Sequence, residues 1–166
     1  LALIADALRR LDVRVALVGD GVSRSALETR AARLGLGQAA VLPGRVGSQE
    51  TALWHRALDV FVVPRRDLEV CRVVTPLKPM EAMAAGRPVI ASDLPALAEV
   101  VRRPDTGVMV PPGDVNALAA AIRSLASDAL ARARYGERGR AFAATRTWAA
   151  HGQRYREVYE SLAGAP

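Results

Sequence analysis

The sequence predicts an α/β domain built on a doubly wound parallel sheet. Three observations carry that expectation. Strand-like and helix-like segments alternate about five times along 166 residues. The strand candidates are short continuous apolar runs, as expected for strands buried on both faces. The composition is 51% hydrophobic but only 4% aromatic, so the bulk is alanine, valine and leucine, which suits helices laid on a covered sheet. This length fits one domain with a sizeable core.

The elements follow in order. "LALIADAL" at the start reads as a helix with no cap before it, so the chain reads as a piece of a longer polypeptide. "VRVALVGDG" gives a strand over 13–18 that runs into a glycine turn. "SALETRAARLGL" is an amphipathic helix stopped by Gly35 and Gly37. "AAVLPGRV" holds a strand at 40–43, and "SQETALWHRA" a helix with Ser48 as candidate N-cap. "LDVFVVP" is a buried strand over 59–63, ended by Pro64. Residues 65–74 read as irregular and basic. "TPLKPMEAMAAG" opens a helix over about 79–85, and "PVIAS" is the strand at 88–91. A short helical piece touches Glu99. "TGVMVPPGD" is the strand at 107–110, "VNALAAAIRSLASD" a strongly periodic helix, and more helix follows to the C-terminus.

In such Rossmann-like sheets, ligands bind beyond the carboxyl ends of the strands. The candidate site is therefore the loops at 19–22, 44–46, 64–78 and 92–95. "GDGVSRS" invites a dinucleotide-binding reading through Gly19 and Gly21, but Arg24 stands where a third glycine is needed; a tight turn explains the glycines equally well. "TPLKP" says more. Lys78 is the only lysine in a chain whose other basic side chains, histidines aside, are arginines. Either Thr75 caps the helix with Pro76 first inside it, or the helix starts at Pro79. In both cases free N–H groups gather at the positive end of a helix, next to a movable point charge, and that is a phosphate seat. Glu81, among small apolar residues, is expected to be buried and to need partners: the helix start, or a ligand's hydroxyl pair.

Composition narrows the partners. The net charge of +6 admits an anionic ligand. The arginines are scattered without an aromatic-rich basic stripe, so nucleic acid is not expected and most of the charge reads as solvated surface. The single Cys71 allows no internal disulfide and fits a reducing cytoplasm. No signal peptide and no bilayer-spanning apolar run are present. No Asp-x-Asp or histidine cluster suggests a metal, and no cofactor is expected. His55 and His151 read as structural, and Trp54 and Trp148 as packing residues.

Taken together and in order, "LVGDG", "VLPGRV", "LDVFVVP", "MEAMAAGRPVIASDLPALAEVV" and "TGVMVPPGDVNALAAAI" resemble the C-terminal, nucleotide-sugar-binding domain of family 4 (group 1) retaining glycosyltransferases of the GT-B fold. The resemblance implies a domain truncated at its N-terminal edge, whose missing acceptor domain and preceding basic loop lie outside these residues. It implies a nucleoside-diphosphate sugar as partner, with Arg45 and Val46 beside the base, Glu81 on the ribose and the amides of Leu77 and Lys78 on the diphosphate. Lys78 is then the candidate catalytic group, and Gly19, Gly21, Arg65 and Thr75 complete the substrate-binding set. One departure stands out. The family carries two glutamates eight positions apart; Glu81 matches the second, but Val73 occupies the place of the first. Arg65, Arg66 and Lys78 are the candidates to make up for it. The "TPLKP" form resembles bacterial transferases acting on surface polysaccharides or glycolipids.

The reading is thus the donor half of a hexosyltransferase, inactive alone, with retention of configuration. Its rivals are a sugar-nucleotide epimerase of the same architecture and a non-catalytic anion- or nucleic-acid-binding module. Self-association through an unpaired sheet edge and peripheral membrane association of the full enzyme are further expectations.

Overall fold

The computed structural model describes residues 13–164; the helix expected at 1–8 lies outside them. All five expected strands form, and every pairing is parallel. Strand β1 (Val15–Val18) is followed by helix α1 (Arg24–Arg33), strand β2 (Ala40–Gly44) and helix α2 (Ser48–Ala57). Then come β3 (Phe61–Val63), the short α3 (Glu69–Val73), α4 (Leu77–Ala84), β4 (Val89–Ser92), α5 (Pro95–Ala98) and β5 (Gly107–Val110). Three helices close the chain: α6 (Val115–Ser127), α7 (Ala129–Ala144) and α8 (Trp148–Ala163).

The hydrogen bonding divides these strands into two sheets. β1 pairs with β2, and β3, β4 and β5 pair in that order, with no ladder between the two groups among the described residues. Helix α2 carries the chain from one sheet to the other. One edge of β1 and one edge of β3 therefore have no strand beside them among the described residues.

The core sits around β4, whose four residues are all buried. The two-residue period of a strand sends Val89 and Ala91 to one face, against Met83 of α4, Leu97 of α5 and Ala143 of α7. Ile90 goes to the other, against Ala121 and Leu125 of α6. Helices thus cover both faces, as a continuous apolar strand requires. Gly107 lets β5 lie close: a Cβ there would run into the Val89 carbonyl. α7 comes equally close to α4, since a Cβ on Gly136 would meet the Gly86 carbonyl.

The helix ends are chemically specified. α4 stops in a Schellman motif: Arg87 N–H donates to Ala82 carbonyl (2.9 Å) and Gly86 N–H to Met83 carbonyl (2.8 Å), with Gly86 at φ +74°. Asp114 and Asp128 cap α6 and α7 through the amides of Ala117 (2.9 Å) and Ala131 (2.8 Å).

Five local expectations change. Ser48 is the first residue inside α2, and Gly47 caps it. Residues 65–74 contain the turn of helix α3, steadied by the two-pronged Arg72–Asp67 contact at 2.6 and 2.8 Å. α4 begins at Leu77, with Pro76 rather than Thr75 as its cap. Glu81 is exposed while its neighbours Ala82 and Met83 are fully buried, because the helix turns its polar positions outward. Trp148 is 87% exposed, so it packs nothing within the described residues.

Candidate functional site

The loops at the carboxyl ends of the strands form the candidate site, starting with the β1 turn. Gly19 N–H donates to the Gly44 carbonyl at 2.8 Å, which joins the loops after β1 and β2. Gly21 N–H is taken by its neighbour Asp20 (2.8 Å). Arg24 donates to the Leu42 carbonyl at 2.9 Å and pairs with Glu28 at 2.8 Å. Its guanidinium lies over Gly44, which favours the tight-turn reading of "GDGVSRS". Gly19 and Gly21 stay exposed. Arg45 is exposed too, and half-buried Val46 leads into α2.

The start of α4 carries more chemistry. With Pro76 as cap, Leu77, Lys78 and Pro79 are the first three helical residues, and no side chain caps this end. A helix start leaves four N–H groups, from the cap to the third residue, without an intrahelical acceptor. Pro76 and Pro79 have no N–H, so the amides of Leu77 and Lys78 are the two left open among the described residues. The prolines thus remove two donors that would otherwise need partners, and Pro79 sits where its missing hydrogen breaks no helical bond. The Lys78 side chain is exposed and belongs to none of the ion pairs among the described residues.

Glu81 is one turn on, three residues after Lys78 and therefore on the same face. It opens onto a groove of about 510 Å³ between α4 and α2, shared with Ser48, Thr51, His55 and Arg56. His55 is buried, edge-on to Phe61 at 5.4 Å, and Thr51 Oγ1 donates to the Gly47 carbonyl (2.9 Å). The sequence reading took Ser48 as a candidate cap and His55 as structural, and missed that they share one face of α2. Their spacing of seven residues, two helical turns, was the available signal.

Other predicted residues serve the scaffold as well. The Arg65 carbonyl accepts from Ser92 Oγ at 2.8 Å, tying the ends of β3 and β4 together. Thr75 Oγ1 donates to the Ala96 carbonyl at 3.4 Å, fastening the approach to α4 onto α5. The Arg72 guanidinium holds the Asp67 carboxyl below the usual carboxylate range, chiefly through its hydrogen bond, and Asp67 raises Arg72 in turn. Since Asp67 engages Arg72, the cations Arg65, Arg66 and Lys78 of this stretch stand outside any ion pair among the described residues. The structure brings Glu81 to the α2 start just after Arg45 and Val46. No hydrogen bond or ion pair joins the β1 turn to residues 75–81 among the described residues. Nor do three or more His, Cys, Asp or Glu side chains meet in a metal-binding group there. No helix there is long and apolar enough to cross a membrane.

Residues 1–128 match the family model described as "Glycosyl transferases group 1". The chain belongs to the group 1 glycosyltransferases. A phosphatidyl-myo-inositol mannosyltransferase of Mycobacterium tuberculosis is 35% identical over 99% of this chain and 44% of its own length. A GDP-mannose-dependent alpha-mannosyltransferase of Mycolicibacterium smegmatis is 33% identical over 84% of this chain and 34% of its own. Among solved structures, a sucrose-phosphate synthase of Thermosynechococcus elongatus superposes with a TM-score of 0.75 at 29% identity, over 96% of this chain and 43% of that one. The group 1 chain described here therefore spans less than half the length of these relatives, and its architecture is that of GT-B glycosyltransferases.

Proposed function

We propose that this chain is the donor-binding half of an enzyme that moves a hexose from a nucleoside-diphosphate sugar to an acceptor with retention of configuration. The observation that carries the reading is the start of α4: two open amides, at Leu77 and Lys78, beside the Lys78 ammonium and one turn from the Glu81 groove. Leaving diphosphate gains negative charge as the glycosidic bond breaks. Donors fixed at a helix start, with a full positive charge, stabilise it where it develops. The ribose hydroxyls meet Glu81, Arg45 and Val46 lie beside the base, and Arg65 and Arg66 face the sugar side in place of the carboxylate absent at Val73. No metal is needed for that charge balance. A relative named for GDP-mannose supports a nucleotide-sugar donor, and one named for phosphatidyl-myo-inositol supports a lipid-linked acceptor at a membrane surface.

The acceptor site lies outside these residues, so the chain alone binds donor without transferring sugar. The test is calorimetric titration of this chain with GDP, UDP and ADP, then transfer assays of the whole gene product with the corresponding sugars. Diphosphate binding by the chain, with transfer by the whole product alone, is expected. Binding of none of the three, or turnover by the chain itself, refutes the reading. Net interconversion of donor sugars without transfer selects the epimerase.

A further inference from the structure

The side of the α4 start that faces away from the Glu81 groove is walled with valine. In the donor reading above, on which this inference rests, the diphosphate sits on the Leu77 and Lys78 amides and the nucleoside runs toward α2. α2 lies against α4, whereas α3 lies against α5, so the sugar leaves toward α3 and the approach at 73–76. The side chains there are apolar and open: Val70, Val73, Val74 and Leu77 are 58%, 73%, 49% and 68% exposed. Val70 and Val73, three residues apart, share one face of α3, while Cys71 turns inward and packs on the core around β4. No residue of α3 is buried.

The polar groups of this wall are engaged elsewhere. Thr75 Oγ1 donates to the Ala96 carbonyl, Arg72 is held by Asp67, and Pro76 has no N–H. The Val74 amide donates to the Val70 carbonyl at 3.1 Å. Glu69 opens α3 one turn beyond Val73, farther from the diphosphate. Arg65 and Arg66 follow β3 and reach hydroxyls only as donors.

We propose that this wall selects a donor whose sugar is a 6-deoxyhexose. A hydroxyl laid on Val73 and Val74 gives up water and finds no partner there, whereas a methyl group gives up nothing polar and gains apolar contact. The carbon that bears C6 is joined through the ring oxygen to the anomeric carbon, so its substituent lies near the diphosphate, where the valines are. Hydroxyls at the far end of the ring meet Glu69, Arg65 and Arg66. An enclosed apolar pocket disfavours one added hydroxyl about a hundredfold, and an open wall roughly tenfold.

Calorimetric titration of this chain with matched donors tests it: GDP-mannose against GDP-6-deoxymannose, UDP-glucose against UDP-6-deoxyglucose, and ADP-glucose against ADP-6-deoxyglucose. On the base that binds, the 6-deoxy donor should be tighter by about tenfold or more. Val73→Gln and Val70→Gln each bring a hydrogen-bonding amide without charge to an exposed position, and at least one should cut that ratio by about fivefold or more, with the melting temperature as proof of folding. The bare diphosphates separate the two ideas. If GDP, UDP or ADP binds but the ratio is smaller than expected, or survives intact in both variants, the wall does not choose the sugar and this proposal falls while the donor site stands. If none of the three binds, both fall.

Discussion

Replacing Lys78 with alanine in the whole enzyme separates a phosphate-binding lysine from a surface one. The fold should barely respond: the side chain is exposed and forms no ion pair among the described residues, and substitutions of that kind lie within about 0.5 kcal/mol. Alanine also keeps the helix start, with both amides in place. The loss is confined to one charge-assisted hydrogen bond to the leaving diphosphate, about 1.5–3 kcal/mol. At 1.36 kcal/mol per factor of ten, turnover falls roughly 10- to 150-fold. Lys78→Arg should recover only part of it, because a planar fork cannot follow a moving phosphate as a point charge on a flexible stem does. Glu81→Gln supplies the contrast, weakening nucleoside and nucleotide binding alike, since its proposed contact is the ribose. Steady-state donor turnover, calorimetric affinity and melting temperature on the three variants complete the comparison. If Lys78→Ala leaves turnover and affinity unchanged in a folded protein, the lysine plays no part in the chemistry.

The remaining expectations concern the scaffold and the conditions. Met83→Ala, at a fully buried site against β4 and α7, should cost about 2–5 kcal/mol, read from the denaturant midpoint; a change under 1 kcal/mol would mean the cavity collapses freely. Gly136→Leu should separate α7 from the Gly86 carbonyl and lower stability by about 1–3 kcal/mol or more, with a neutral result contradicting the close approach. Diphosphate binding should persist in EDTA, since the neutralising groups are amides and an ammonium; strict magnesium dependence would remove the helix start as the seat. The Asp67–Arg72 contact sets a pH sign. A carboxylate held below its ordinary value stabilises its loop above the unfolded pKa and ceases to do so as pH falls through the folded one. Protection across 67–72, taken relative to the intrinsic amide exchange rate at each pH, should therefore be flat near neutrality and fall at acid pH, and Asp67→Asn should abolish that fall.

Much of this protein is written in local pattern. The strands at 40–43, 59–63 and 107–110 could be read from apolar runs bounded by glycine and proline, although only β4 is buried throughout and Val41 and Pro43 of β2 are exposed. The stop of α4 was legible in Gly86, the one residue type that enters the left-handed turn without strain. That Lys78 lies at a helix start was legible from its two flanking prolines. The exact start of α4 was not: "TPLKP" permits a cap at Thr75, and only the packed structure shows Thr75 reaching instead for the Ala96 carbonyl on a helix twenty residues away. Nor could sequence decide that Glu81 faces a groove while Ala82 and Met83 turn to the core, or that Ser48 and His55 lie opposite it. Those depend on how α2 and α4 lie against each other over β3, a distance between elements remote in the chain. The division into two sheets and the exposure of Trp148 on α8 among the described residues belong to the same class. Periodicity says that a face is apolar, but only tertiary contact decides what, if anything, covers it.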